Sequence, residues 1–188
     1  IKTNTVNVTG TLNVLQAAVN KVERFVFVSS TAVYGDATVL PIKETTVLRP
    51  ISPYAASKVA GESYCSAFTG CYDLDTVSLR FFNVYGPRNE NSPYSGVITK
   101  FLKKANNNEV LTIEGDGKQT RDFIHVNDIA DALVLVLERK QLKGEVFNIC
   151  TGAPTSVNQF VEVLGKVTGK KLRVKHGSPR QGDIKESF

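Results

Sequence analysis

The run Phe25-Val26-Phe27-Val28-Ser29-Ser30-Thr31-Ala32-Val33-Tyr34-Gly35 decides the fold. Four apolar, strand-forming residues follow one another without alternation, as in a strand covered on both faces of a parallel sheet. They deliver Ser29 and Ser30 to the strand's carboxyl end, where open α/β sheets bind ligands. Downstream, Pro53-Tyr54-Ala55-Ala56-Ser57-Lys58 reads as the opening of a helix over 54–69, with Pro53 suited to its first turn. Tyr54 and Lys58 stand four residues apart and so share one helical face. An ammonium beside a phenol is expected to draw the phenol's pKa down from about 10 toward a useful range. With a serine hydroxyl at hand, that set moves a proton. A Tyr-x-x-x-Lys alone is equally an exposed helical pair, so its weight comes from the strand that precedes it.

Working outward, 188 residues with 41% hydrophobic and 22% charged content describe a folded chain with room for a sizeable core. No apolar run approaches the roughly 20 residues that span a bilayer. A polar first stretch argues against a signal peptide, so a cytoplasmic chain without a membrane partner is expected. The net charge of +5 is spread along the chain except for Lys166, Lys170, Lys171, Arg173, Lys175 and Arg180. Those residues read as solvated surface, or as positive potential for a diphosphate, rather than as a nucleic-acid site. Cys65, Cys71 and Cys150, with only His125 and His176 to join them, predict buried free thiols and no metal site. With no methionine and no Gly-rich turn of the dinucleotide-binding kind, the chain reads as a fragment.

Periodicity and breakers predict helix 5–20, strand 25–29, helix 54–69, strand 76–82, helix 96–105 and strand 110–113. A strand over 121–126, helix 127–139, strand 145–149, helix 156–168 and strand 171–175 follow. The alternation makes this an α/β chain, a Rossmann-type doubly wound parallel sheet (incomplete) with a smaller α/β substrate-binding part. The division is placed between residues 1–83 and 84–188, with some later segments returning to the first sheet.

Four motifs occur in order: Ser29 to Gly35, Ser52 to Lys58, Arg80-Phe81-Phe82-Asn83-Val84-Tyr85-Gly86-Pro87-Arg88, and Arg121-Asp122-Phe123-Ile124-His125-Val126-Asn127-Asp128-Ile129-Ala130. Together they resemble the extended short-chain dehydrogenase/reductase family, specifically its nucleotide-sugar 4-epimerases. The resemblance implies Ser30, Tyr54 and Lys58 as the catalytic set. It places NAD against Asn7, Ser29, Tyr54, Lys58 and Phe82, although Asn7 would serve equally as a helix cap. It sets a UDP-sugar against Ser30, Tyr54, Asn83, Thr112, Ile113, Arg121, Arg180, Asp183 and Ser187. An Arg fork matches phosphate oxygens, whereas the plainer role for Arg121 is a surface ion pair with Asp122 or a neighbour. Ser187, small where other members carry Tyr, implies room for an N-acetyl group. Glu114 stands where members often carry an aromatic near the base. A homodimer paired through helices 5–20 and 54–69 is expected too, although the small residues Ala60 and Gly61 serve packing within the chain equally well.

The activity implied is C4 epimerisation of UDP-hexoses through a 4-keto sugar. A nucleotide-sugar 4,6-dehydratase is the nearest enzymatic alternative. In the family it needs an Asp-Glu pair after the serine, where Thr31 and Ala32 stand here. A non-catalytic nucleotide-sugar-binding module is the alternative of another class.

Overall fold

A computed structural model of the chain describes residues 2–88, 96–140, 142–179 and 184–188. The first helix runs as α1 (Lys2–Asn4), a π-helical turn (Thr5–Thr9) and α2 (Gly10–Ala18). It begins and ends earlier than the predicted 5–20, because Val19 leaves the helical region and Asn20 adopts a left-handed φ of 58°. Strand β1 (Phe25–Ser30) follows, and α3 (Pro53–Tyr72) returns over it. Ser52 caps α3 by accepting from Ala55 N at 3.1 Å, Pro53 opens the first turn, and Asp73 at φ 58° closes the helix.

The first sheet is β1, β2 (Thr76–Phe81) and β6 (Val146–Ile149), in the order β1-β2-β6 and all parallel. Strand β2 lies in the middle, with Val77 and Leu79 wholly buried. One face packs Phe27 against Leu15, Ala18, Cys65 and Phe68 of α2 and α3. The other sets Val77 and Leu79 against Val136 of α5 (Val126–Glu138). Helices on both faces explain why the strands read as continuous apolar runs. A Cβ on Gly61 would lie 2.3 Å from the Phe27 ring, so this glycine serves the approach of α3 to β1 within the chain.

Strand β2 passes through the single residue Phe82 into β3 (Asn83–Tyr85), which belongs to a second sheet ordered β3-β5-β7. Its central strand β5 (Thr120–His125) is parallel to β3 and antiparallel to β7 (Pro154–Ser156), and it also pairs with β9 (Glu186–Ser187). A third unit pairs β4 (Leu111–Glu114) with β8 (Val174–Gly177) under α4 (Val97–Asn106) and α6 (Val157–Thr168). Phe101, Leu111, Ile113 and Leu164 form its core. Strand β8 starts three residues later than the predicted 171–175. Gly169 ends α6 at φ 65°, and Leu172 is drawn onto the α6 core, so 170–173 turn the chain. Among the described residues no helix is long and apolar enough to cross a membrane.

Of the three cysteines predicted buried, Cys65 is buried, Cys150 is partly covered and Cys71, on the outer side of α3, is exposed. Burial, with a smaller push from the Glu62 charge, raises the Cys65 thiol from its ordinary 9.0 to about 12. A raised folded-state pKa contributes stability that is whole below the unfolded value and is lost as pH climbs through the folded one. Stability is therefore expected to fall between pH 9.0 and about 12. Urea unfolding of Cys65→Ala across that window should show a shallower fall than wild type, and an identical slope would remove the assignment.

Candidate active site

Ser30 ends β1 in extended backbone, and its Oγ accepts from Ala32 N at 3.2 Å, opening a 3-10 turn over Thr31–Tyr34. That turn sends Val33 and Tyr34 into a core with Ile42 and Phe82 and leaves Ser30 half-buried at the sheet edge. Over the same edge stands the first turn of α3. Tyr54 is 46% exposed, and the Lys58 Nζ lies 5.7 Å from its ring centroid and 5.1 Å from that of Phe27. Lys58 also donates to the Val28 carbonyl of β1 at 2.8 Å. The lysine is thus stretched across the strand end, and its partial burial lowers its pKa.

Asn7 is not a cap. It lies in the π-helical turn and donates its amide to Ser57 Oγ at 2.9 Å, while Ser57 donates to the Tyr54 carbonyl at 2.7 Å. The inserted residue of the π turn re-aims the side chain toward α3, a device frequent at functional sites.

Ser29 and Phe82 do not offer their side chains to this edge. Successive strand residues point to opposite faces. With Ser30 outward, Ser29 is buried and donates to Glu62 Oε1 at 2.5 Å. Glu62 is held in turn by Arg80, Nε to Oε1 at 2.9 Å and Nη2 to Oε2 at 2.6 Å. Arg80 Nη1 donates to the Tyr34 hydroxyl at 2.7 Å, which itself donates to Asn148 Oδ1 at 2.7 Å. This buried network is the floor beneath Ser30. The Phe82 ring is enclosed by the core and its N–H bonds Ile149 O at 3.1 Å. Glu62 and Arg80 went unnoticed in the sequence, although Glu62 follows Lys58 by four residues, one helical turn further on.

Four of the residues assigned to a nucleotide sugar, Asn83, Thr112, Ile113 and Arg121, line two adjoining cavities. Thr112, Ile113 and Arg121 line a cavity of about 660 Å³ with Lys100, Glu114 and Gln119. Asn83 lines an adjoining cavity of about 210 Å³, and Gly96 and Val97 border both. Ser187 in β9 is 6% exposed and pairs with Arg121. Ser30, Tyr54 and Lys58 line neither cavity. Continuity runs through the backbone, since Ser30 pairs with Phe81, two residues before Asn83, and Asn83 Nδ2 donates to the Asp122 carbonyl at 3.1 Å. Asp122 is not an ion-pair partner for Arg121. Asp122 is wholly buried, and its carboxylate is turned to the amides of 151–153. Arg180 and Asp183 lie outside the described residues.

A phenol and an ammonium at the carboxyl end of a parallel strand, with a separate cavity lined by lysine and arginine against the second sheet, are groups that suit an anionic substrate with a reacting hydroxyl. Comparison with known proteins agrees. Residues 1–150 match the NAD dependent epimerase/dehydratase family. The UDP-glucose 4-epimerase of Mycolicibacterium smegmatis is 36% identical over 185 residues, 97% of this chain and 59% of its own length. A UDP-N-acetylglucosamine 4-epimerase structure from Methanobrevibacter ruminantium M1, solved with UDP-N-acetylmuramic acid, superposes at a TM-score of 0.94. It is 41% identical over 98% of this chain and 60% of that one. The dTDP-D-glucose 4,6-dehydratase of Homo sapiens is 36% identical over 160 residues, 85% of this chain and 45% of its own length. The chain therefore spans about 60% of the length of the epimerases it resembles.

Proposed function

This chain belongs to the NAD dependent epimerase/dehydratase family, and from that premise we propose that it carries the proton-transfer and nucleotide-sugar sites of an enzyme that interconverts UDP-hexoses at C4. The observation that carries the reading is Lys58, which lies over the Tyr54 ring and donates to Val28 O, two residues before Ser30 at the carboxyl end of β1. The donor set suits NAD. Among the described residues Val28 O is the hydrogen-bond acceptor of Lys58, which leaves two of the ammonium's three hydrogens for the paired hydroxyls of a ribose. Bound there, NAD supplies a hydride acceptor and donor for C4. Tyr54 Oη takes the proton of the 4-hydroxyl and later returns it, with Ser30 Oγ bridging the two oxygens. Lys58 holds the ribose and keeps its charge beside the phenol ring. Arg121, with Asn83 nearby, holds the diphosphate and so fixes the nucleotide while the 4-keto sugar turns to present its other face.

Dehydration is the weaker reading on chemical grounds. Eliminating water from the 4-keto sugar needs an acid and a base at the sugar, and Thr31 and Ala32, the residues next to Ser30, supply neither. Progress curves with UDP-glucose and NAD, using a chain of the relatives' full length, test the choice. UDP-galactose is the product expected. A 4-keto-6-deoxy product would overturn the reading in favour of the dehydratase, and UDP binding without turnover would favour a binding module.

The sugar class follows from Ser187, whose small side chain sits buried beside Arg121. Ser187 lines neither cavity, so it is the small size of the residue at this position that supports UDP-N-acetylglucosamine and UDP-N-acetylgalactosamine as further substrates. In the full-length chain Ser187→Tyr is expected to cut kcat/KM for the N-acetyl sugars by about tenfold or more while changing that for UDP-glucose little, since a steric pocket discriminates by size. Equal losses for both would show that the position does not border the sugar.

A further inference from the structure

Besides the passage from β5 through α5 to β6, two short chain crossings join the sheet that carries Ser30 to the sheet that carries Arg121: β2 into β3 through Phe82, and β6 into β7 through residues 150–153. Both are tied to one residue. The Asp122 carbonyl accepts from Asn83 Nδ2 of the first crossing at 3.1 Å. Its carboxylate accepts from three successive amides of the second: Thr151 N at 2.9 and 3.0 Å, Gly152 N at 2.6 Å and Ala153 N at 3.2 Å. Gly152 at φ 74° gives the loop a curl in which consecutive N–H groups converge, an anion-binding nest of the kind that usually receives phosphate. Here the anion is the protein's own and is wholly buried. Charge-assisted bonds from three amides make it a strong tie.

Arg121 precedes Asp122 in β5, so its side chain leaves the opposite face and reaches the cavity. We infer that Asp122 is a positioning residue, a latch that fixes the angle between the two sheets and so holds Arg121 and Asn83 in register with Ser30, Tyr54 and Lys58. The inference rests on the reading of Arg121 as a diphosphate ligand.

Asp122→Asn keeps the shape of the side chain but loses the charge and turns an NH2 group toward an amide donor. In this chain, hydrogen exchange at Thr151, Gly152 and Ala153 and along β3 and β5 is expected to quicken about tenfold or more, with β1 and β2 unchanged. Calorimetric titration with UDP should show Kd raised about tenfold. Cys65→Ala, which weakens the core away from the crossings, is expected to leave Kd for UDP unchanged at a comparable loss of stability. Unchanged exchange at residues 151–153 in Asp122→Asn, or Cys65→Ala weakening UDP as much, would overturn the latch. Quickened exchange together with a wild-type chain that binds no UDP would leave the latch standing and remove the nucleotide reading instead.

Discussion

In a chain of the relatives' full length, Tyr54→Phe is expected to lower kcat for UDP-glucose epimerisation by about 10²–10⁴-fold, the range attributed to a positioned acid or base. The substitution deletes one oxygen. Tyr54 is 46% exposed at the first turn of α3, and its contact with the Lys58 cation is made through the ring rather than the hydroxyl. Stability is accordingly expected within about 0.5 kcal/mol of wild type, as for surface changes away from special features. The diphosphate would be held by Arg121 and Asn83 on the second sheet, so UDP affinity should not move. A fall in kcat with unaltered UDP binding is the signature of an interaction made in the transition state alone. Turnover like that of wild type would show that Tyr54 is not the proton carrier. A matching loss of UDP affinity would mean instead that the variant disturbs the cleft as a whole.

What the sequence could show about this site follows from the range over which its signals act. The run from Phe25 to Val28 is announced as a strand by its composition, although Phe27 is buried and Val28 is exposed, and the spacing of Tyr54 and Lys58 is fixed by the helix that Ser52 and Pro53 start. Local rules of this kind also placed β5 and α5. Strands β3, β7 and β9, by contrast, are two or three residues long and carry no measurable period. Ser29 illustrates a different limit. Strand alternation does say that Ser29 and Ser30 face opposite ways, but only the position of Glu62 on α3 says which one is turned inward. Asp122 shows the same thing over a longer distance. Beside Arg121 in sequence it suggests an ion pair, and its actual partners are backbone amides 29 to 31 residues away that no side-chain pattern records. The π-helical turn around Asn7 and the outward placement of Cys71 are likewise set by packing against neighbours rather than by local preference.

The largest stability effect is expected from the floor of the site. Arg80 and Glu62 are 4% and 8% exposed and meet through two hydrogen bonds, with Glu62 also receiving Ser29 and Arg80 also reaching the Tyr34 hydroxyl and the Glu44 carbonyl. Each charge has lost its water and is compensated by the other. Arg80→Met fills much of the same space but leaves the Glu62 carboxylate buried without its cation, which costs about 3–5 kcal/mol. Against a domain stability of about 5–15 kcal/mol, that is enough to unfold a substantial fraction of the protein near physiological temperature. Removing both charges should behave differently. In Glu62→Leu with Arg80→Met no ion remains to be compensated, and replacing a buried pair by apolar groups of similar volume is often neutral. Recovery is expected to be incomplete here, because the Ser29 hydroxyl then loses its acceptor in the core, a loss of about 1–3 kcal/mol. Tyr34 keeps Asn148 as its acceptor, so the turn that presents Ser30 should survive. Urea unfolding of the two single variants and the double variant measures the coupling directly. If Arg80→Met alone lost less than about 1 kcal/mol, the Glu62 carboxylate would have found water or a proton, and the floor beneath Ser30 would be softer than its contacts indicate.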